Sequence, residues 1–139
     1  MSKRLWNKRL TEIPLISIVD DDETVCAATE SLVRSLGFAT RTFTSAESFL
    51  HSSSVSATQC LILDVHMPNM SGIELWDHLS SLGFDIPIIF ITAYSDEAVK
   101  ARVLSAGAVA FLRKPFEIHG QRLVDCLYAA LRRHKGPAS

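Results

Sequence analysis

Five times along this chain a short apolar run gives way to a polar turn and then to apolar residues at helical spacing. The runs are Leu15-Ile16-Ser17-Ile18-Val19, residues 39–43, Cys60-Leu61-Ile62-Leu63, Ile86-Pro87-Ile88-Ile89-Phe90-Ile91 and residues 108–112. Near-continuous apolar runs of this length suit strands buried on both faces of a parallel sheet. Alternating strand and helix five times implies such a sheet, with helices on both faces and right-handed crossovers. At 139 residues the pattern fills a single α/β domain with a real core.

The helical segments carry their own punctuation. Val25, Ala28, Leu32 and Leu36 recur at helical spacing until Gly37, which suits a helix C-terminus. Ser45 is expected to cap a second helix running to about His51, and the serine-rich residues 52–56 read as a loop. Ile73, Trp76, Leu79 and Leu82 form one face of a third helix that Gly83 ends, and Ser95 is expected to cap a fourth that Gly107 ends. On the fourth, Ala98 and Ala101 fall on one side and Val99, Val103 and Ala106 on another, which fits either a partner face or a buried stripe. The fifth turns Leu123, Leu127 and Leu131 inward and places Arg132, Arg133 and Lys135 where cations favour a helix C-terminus.

Boundaries follow: an N-terminal arm over residues 1–13, the domain over 14–134, and a tail or cut linker over 135–139. Lys3, Arg4, Lys8 and Arg9 surround Trp6 in the arm, which either touches an anionic surface or stays solvated. A net charge of −1 offers no field for nucleic acid or a membrane. Cys26, Cys60 and Cys126 lack the spacing of a disulfide framework or a zinc site. With no apolar stretch of signal-peptide or membrane-spanning length, the expected location is the cytoplasm.

In a parallel sheet the carboxyl ends of the strands share one edge, where ligands bind. Asp20, Asp21, Asp64, Thr92 and Lys114 all fall there. Each has an ordinary structural use: Asp64 as a turn residue before Pro68-Asn69, Asp21 and Asp22 as helix caps, Thr92 as a β-former, Lys114 as a solvated edge charge. Their arrival at the ends of four different apolar strands is what points to a joint site. Carboxylates ~4 Å apart repel by about 4 kcal/mol at an effective dielectric near 20. A hard divalent cation relieves that repulsion, and oxygen ligands without His or Cys favour Mg²⁺. Asp21→Asn should therefore raise the stability of the metal-free chain.

In this combination and order, Val19-Asp20-Asp21-Asp22, Asp64-Val65-His66-Met67-Pro68-Asn69-Met70-Ser71-Gly72, Ile91-Thr92-Ala93 and Lys114-Pro115-Phe116 resemble the receiver domain of two-component response regulators. The resemblance is particularly to the receivers of rhizobial nitrogen-fixation and nodulation regulators, and it runs from Ile13 to about Arg133. It implies a flavodoxin-like (βα)5 three-layer sandwich whose five-stranded parallel sheet has the order 2-1-3-4-5. It implies that Asp64 accepts a phosphoryl group from the phosphohistidine of a sensor histidine kinase. Asp21, Asp64 and the His66 backbone carbonyl would ligate Mg²⁺, with Asp20 acting mainly through water. Thr92 and Lys114 would bind phosphoryl oxygens, Ala93 would leave room for them, and Pro115 would be a cis proline fixing the direction of Lys114. On phosphorylation Phe111 would turn inward and alter the surface of the fourth helix and fifth strand, also the expected face of a homodimer.

His66 and Tyr94 depart from the usual residues of that family. They border the site entrance and either gate attacking water, so tuning phosphate lifetime, or, for His66, contribute only a carbonyl. His51, His78, His119 and His134 have no ligand spacing and read as surface residues. Relatives usually continue into a helix-turn-helix DNA-binding domain, absent from this chain, so either a single-domain receiver or a cut linker is expected. The expected function is a phosphorylation-controlled switch in transcriptional regulation, not a multiple-turnover enzyme. The alternatives are a Mg²⁺-dependent phosphatase-like hydrolase using Asp64, which would need an acid/base Asp where His66 stands, and a phosphate-independent docking module.

Overall fold

The computed structural model describes residues 12–115 and 117–135, so most of the expected arm, Phe116 and the tail beyond Lys135 lie outside the described residues. Strands β1 (Leu15–Val19), β2 (Ala39–Phe43), β3 (Thr58–Asp64), β4 (Ile88–Thr92) and β5 (Ala110–Arg113) alternate with helices α1 (Glu23–Ser35), α2 (Ala46–Leu50), α3 (Gly72–Ser81), α4 (Glu97–Ser105) and α5 (Gln121–Lys135). All strand pairs are parallel and the order is β2-β1-β3-β4-β5, the topology that the family resemblance implies.

The central strand shows how the layers form. Along β3, Cys60 and Ile62 point into a core roofed by α1 and α5, whereas Leu61 and Leu63 point into the opposite core, roofed by α2, α3 and α4. Period-2 alternation thus divides one apolar run between two cores. Edge strand β2 keeps Arg41 and Thr42 exposed, which blunts it against further pairing.

Helix capping follows local chemistry. Asp22 caps α1 by accepting the N–H groups of Thr24 and Val25, and Ser45 caps α2 by accepting that of Ser48. The cap of α4 is Asp96, not Ser95: its extended backbone and a carboxylate that accepts the Val99 N–H put the boundary one residue later. On α3 the inward face is Gly72, Leu75 and Leu79, with Ile73 and Trp76 at its margin. Leu82 is 61% exposed because it is already the C-cap, so Leu75 takes the place that simple spacing gave it. On α4 only Val103 is buried and Ala98 and Ala101 are exposed, which removes the wholly buried stripe. Leu123 and Leu127 lie inward as expected, and His51, His78 and His119 are exposed.

Candidate functional site

At the carboxyl edge, the chain leaves β1 into Asp20, whose peptide N–H donates to Phe43 O at 3.0 Å. Asp20 has no solvent exposure, and its Oδ1 accepts the Asp22 N–H at 2.9 Å, so its side chain is locked before α1 begins. Asp21, between two anchored residues, points to solvent. Asp64 ends β3 at 3% exposure and accepts the His66 N–H on Oδ1 at 3.3 Å. Carboxylate oxygens of Asp20, Asp21 and Asp64 all lie within 4.8 Å of one another.

Lys114 closes the site from β5. Its Nζ donates to Asp20 Oδ2 at 2.9 Å and reaches Asp64 Oδ2 at 3.5 Å, while its backbone N–H holds the Thr92 carbonyl at 2.8 Å. The Lys114–Pro115 peptide bond is cis. Thr92 is buried at 1% exposure, and its hydroxyl accepts the Tyr94 N–H at 3.1 Å, which leaves the hydroxyl proton free to donate. Ala93 is exposed beside it. The rings of His66 and Tyr94 meet edge to face, centroids 4.9 Å apart at 86°, both at the surface. Phe111 already lies inward at 6% exposure within the α2/α3/α4 core, so an inward ring needs no rotation to reach its place.

The electrostatics match this crowding. Burial, reinforced by the Asp20 carboxylate, pushes the Asp64 carboxyl up to about 7, against the opposing pull of Lys114 and the His66 N–H. For Lys114, burial would lower the ammonium, but hydrogen bonding and attraction from Asp20 and Asp64 outweigh it and the pKa rises. Lys114 is thus the only cation within salt-bridge distance of either buried carboxylate among the described residues. Lys114→Met should cost about 3 kcal/mol in chelator at pH 8, because it strands Asp20 in a buried site. The ammonium also holds the Asp64 carboxyl down, so that part of the deficit should fade as pH drops below about 7; urea melts at pH 8 and pH 5 check this.

Two residues escaped sequence reasoning. Asn69 has φ of +69°, a left-handed conformation that Asn tolerates better than most residues, and it turns the chain between Pro68 and α3. Gly72 packs so close under the β3 terminus that a Cβ there would run into the Asp64 carbonyl oxygen. Both stand inside the motif already read, but neither carries a reactive group to betray its task.

A doubly wound parallel sheet with carboxylates, a hydroxyl and an ammonium at its carboxyl edge defines a flavodoxin-like α/β protein with a polar crevice. Residues 16–127 match the response regulator receiver domain, and the chain belongs to that family. It is 45% identical over 118 residues to response regulator protein TodT of Pseudomonas putida, covering 85% of this chain and 51% of that protein. Nodulation protein W of Bradyrhizobium diazoefficiens is 38% identical over 121 residues, covering 87% of this chain and 52% of the relative. The chain therefore spans about half the length of these curated relatives. Among solved structures, FixJ-N superposes with a TM-score of 0.76 at 31% identity, covering 93% of this chain and 99% of that one. The similarity to rhizobial nodulation and nitrogen-fixation regulators read from the motifs is thus matched.

Proposed function

We propose that Asp64 is the phosphoacceptor of this receiver and that Asp20, Asp21, Thr92 and Lys114 assemble the transfer site around it. The observation that carries the proposal is the convergence of three carboxylates within 4.8 Å, two of them 2.9 and 3.5 Å from the partly buried Lys114 ammonium, at the end of the central strand. An Asp64 carboxylate oxygen attacks the phosphorus of a phosphohistidine on a sensor histidine kinase. The P–N bond breaks, the imidazole nitrogen keeps the electron pair, and an acyl phosphate forms on Asp64. Lys114 and the Thr92 hydroxyl meet the charge on the equatorial oxygens, which dominates a loose transition state. The donor set, all oxygen and crowded enough to raise the Asp64 pKa, fits Mg²⁺, with Asp21, Asp64 and the His66 carbonyl as ligands and Asp20 acting through water. When bound, Mg²⁺ supplies positive charge to the phosphoryl oxygens.

His66 and Tyr94 stand at the entrance, where their paired rings would limit the approach of water and set the lifetime of the acyl phosphate. Phosphorylation would draw the Thr92 hydroxyl toward the new dianion and bias Phe111 toward its inward place, altering the α4/β5 face. That face carries a groove of about 240 Å³ between Lys100, Leu104, Phe111, Arg122 and Cys126, and a homodimer through α4 and β5 belongs to the same proposal. The domain would span 14–134 in the cytoplasm, act as a switch and not a multiple-turnover enzyme, and serve transcriptional regulation, as the relatives' names suggest. No described helix is long and apolar enough to cross a membrane.

Acetyl phosphate with Mg²⁺ should add one phosphoryl group, and borohydride trapping should map it to Asp64. Labelling at another residue, or none, would overturn the assignment. Because Mg²⁺ binding requires the Asp64 carboxylate, whose pKa is about 7, affinity should fall nearly tenfold between pH 7.5 and 6. Calorimetric titrations at both pH values measure this, and a flat profile would contradict the shared ligation.

A further inference from the structure

Cys26, on the first turn of α1, is 5% exposed and lies beneath the acidic turn without forming part of the site. Its Sγ donates to the Asp20 carbonyl at 3.1 Å and, at a longer 3.8 Å, approaches the Phe43 carbonyl, the same oxygen that accepts the Asp20 N–H at 3.0 Å. Its own backbone N–H donates to Asp22 O at 3.0 Å. One residue therefore grips the turn on both sides of Asp21, while tying the ends of β1 and β2 to α1.

We infer that Cys26 is a positioning residue for the acidic turn, its thiol orienting the Asp20 peptide so that the Asp20 and Asp21 carboxylates meet Asp64 in cation-binding register. This rests on the reading of the site as a Mg²⁺-dependent phosphoacceptor. The turn is short, so a rotated Asp20 peptide moves the Asp21 side chain, which no side-chain hydrogen bond holds among the described residues. A buried thiol is a weak donor, but here it faces an oxygen that water does not reach. Hydroxyl in place of thiol keeps the donor, whereas an aliphatic side chain of similar size removes it.

The test compares wild type with Cys26→Ser, Cys26→Val and Cys26→Ala by Mg²⁺ calorimetry, acetyl phosphate labelling and melting in chelator. Cys26→Ser should bind Mg²⁺ within about twofold of wild type, and Cys26→Val and Cys26→Ala about tenfold more weakly, the loss common when a group that orients a metal ligand is removed. Labelling of the Val and Ala variants should be slow at low Mg²⁺ and recover at saturation. Cys26→Val guards against a mere packing defect: it keeps the side-chain volume, so its melting temperature in chelator should fall less than that of Cys26→Ala while its Mg²⁺ affinity falls as far. Equal affinity in all four proteins, or a loss in Ser as large as in Val, overturns the role of Cys26. Wild type that neither binds Mg²⁺ nor takes label overturns the site reading itself.

Discussion

Asp64→Asn is expected to take up no phosphoryl group from acetyl phosphate and, in chelator at pH 8, to melt above the wild type. The first effect is chemical: an amide oxygen lacks the carboxylate's charge and nucleophilicity, and Asp20, though buried nearby, is engaged by Lys114 and the Asp22 N–H. The second is electrostatic. A carboxyl raised from 3.8 to about 7 by burial and by Asp20 is a group whose ionised form the fold disfavours. Its folded pKa exceeds its unfolded value, so the stability it contributes is full below pH 4 and is lost as pH rises through 7. Removing the charge should return about 2 kcal/mol at pH 8, after allowing for Lys114 losing one of two partners. That corresponds to on the order of 5–10 °C, shrinking toward zero near pH 4. Differential scanning calorimetry across pH decides it; an equal or lower melting temperature at pH 8 would refute the repulsion account. Asp21, where the sequence suggested the same relief, is exposed, so solvent screens its charge and the larger gain belongs to Asp64.

Legibility in the sequence tracked how far each property depends on neighbours along the chain. Strand β3 declared itself because an apolar run closed by Asp64 has few other uses, and its partners announced themselves by recurring at the ends of other apolar runs. Strand order was not in the periodicity: any doubly wound arrangement buries the same residues, and only the family resemblance chose 2-1-3-4-5. Leu82 and Ser95 were misplaced by spacing alone, since a C-cap residue and a cap competing with an adjacent carboxylate are decided by backbone geometry that period does not encode. Phe111 is read as a moving part from the resemblance alone, and the core in which its ring lies is likewise not marked by its local spacing. Contacts across the fold, such as the Cys26 thiol on the Asp20 carbonyl, stayed invisible because nothing in the local sequence marks a cysteine as a donor to a turn.

Gly72→Ala should be among the most damaging small changes available to this chain. Gly72 opens α3, and its N–H donates to Val65 O at 2.9 Å, which folds the seven-residue loop back onto the end of β3. A Cβ at that position meets the Asp64 carbonyl oxygen head-on and stands 3.1 Å from both the Asp64 carbonyl carbon and Leu63 Cγ. The colliding atom is backbone of a strand paired on both sides, so relief cannot come from a rotamer change: either α3 lifts off its core or the β3 terminus shifts. Lifting α3 exposes Leu75 and Leu79 and breaks the capping box in which Ser71 and Glu74 hold each other's N–H groups. Either course should cost roughly 3 kcal/mol, at the upper end for overpacking a well-filled core. If the strand yields instead, Asp64 moves relative to Lys114 and the acidic turn, and a displacement of ~1 Å at a reacting group can cost about a hundredfold in rate. The expected variant therefore folds with a melting temperature more than 10 °C lower and takes label from acetyl phosphate far more slowly even when fully folded. Labelling rates at 10 °C, where the variant remains native, separate the two contributions. A variant that labels at the wild-type rate but melts early would place the whole adjustment in α3, and one that matches wild type in both would show that the close approach under Asp64 does not exist in solution.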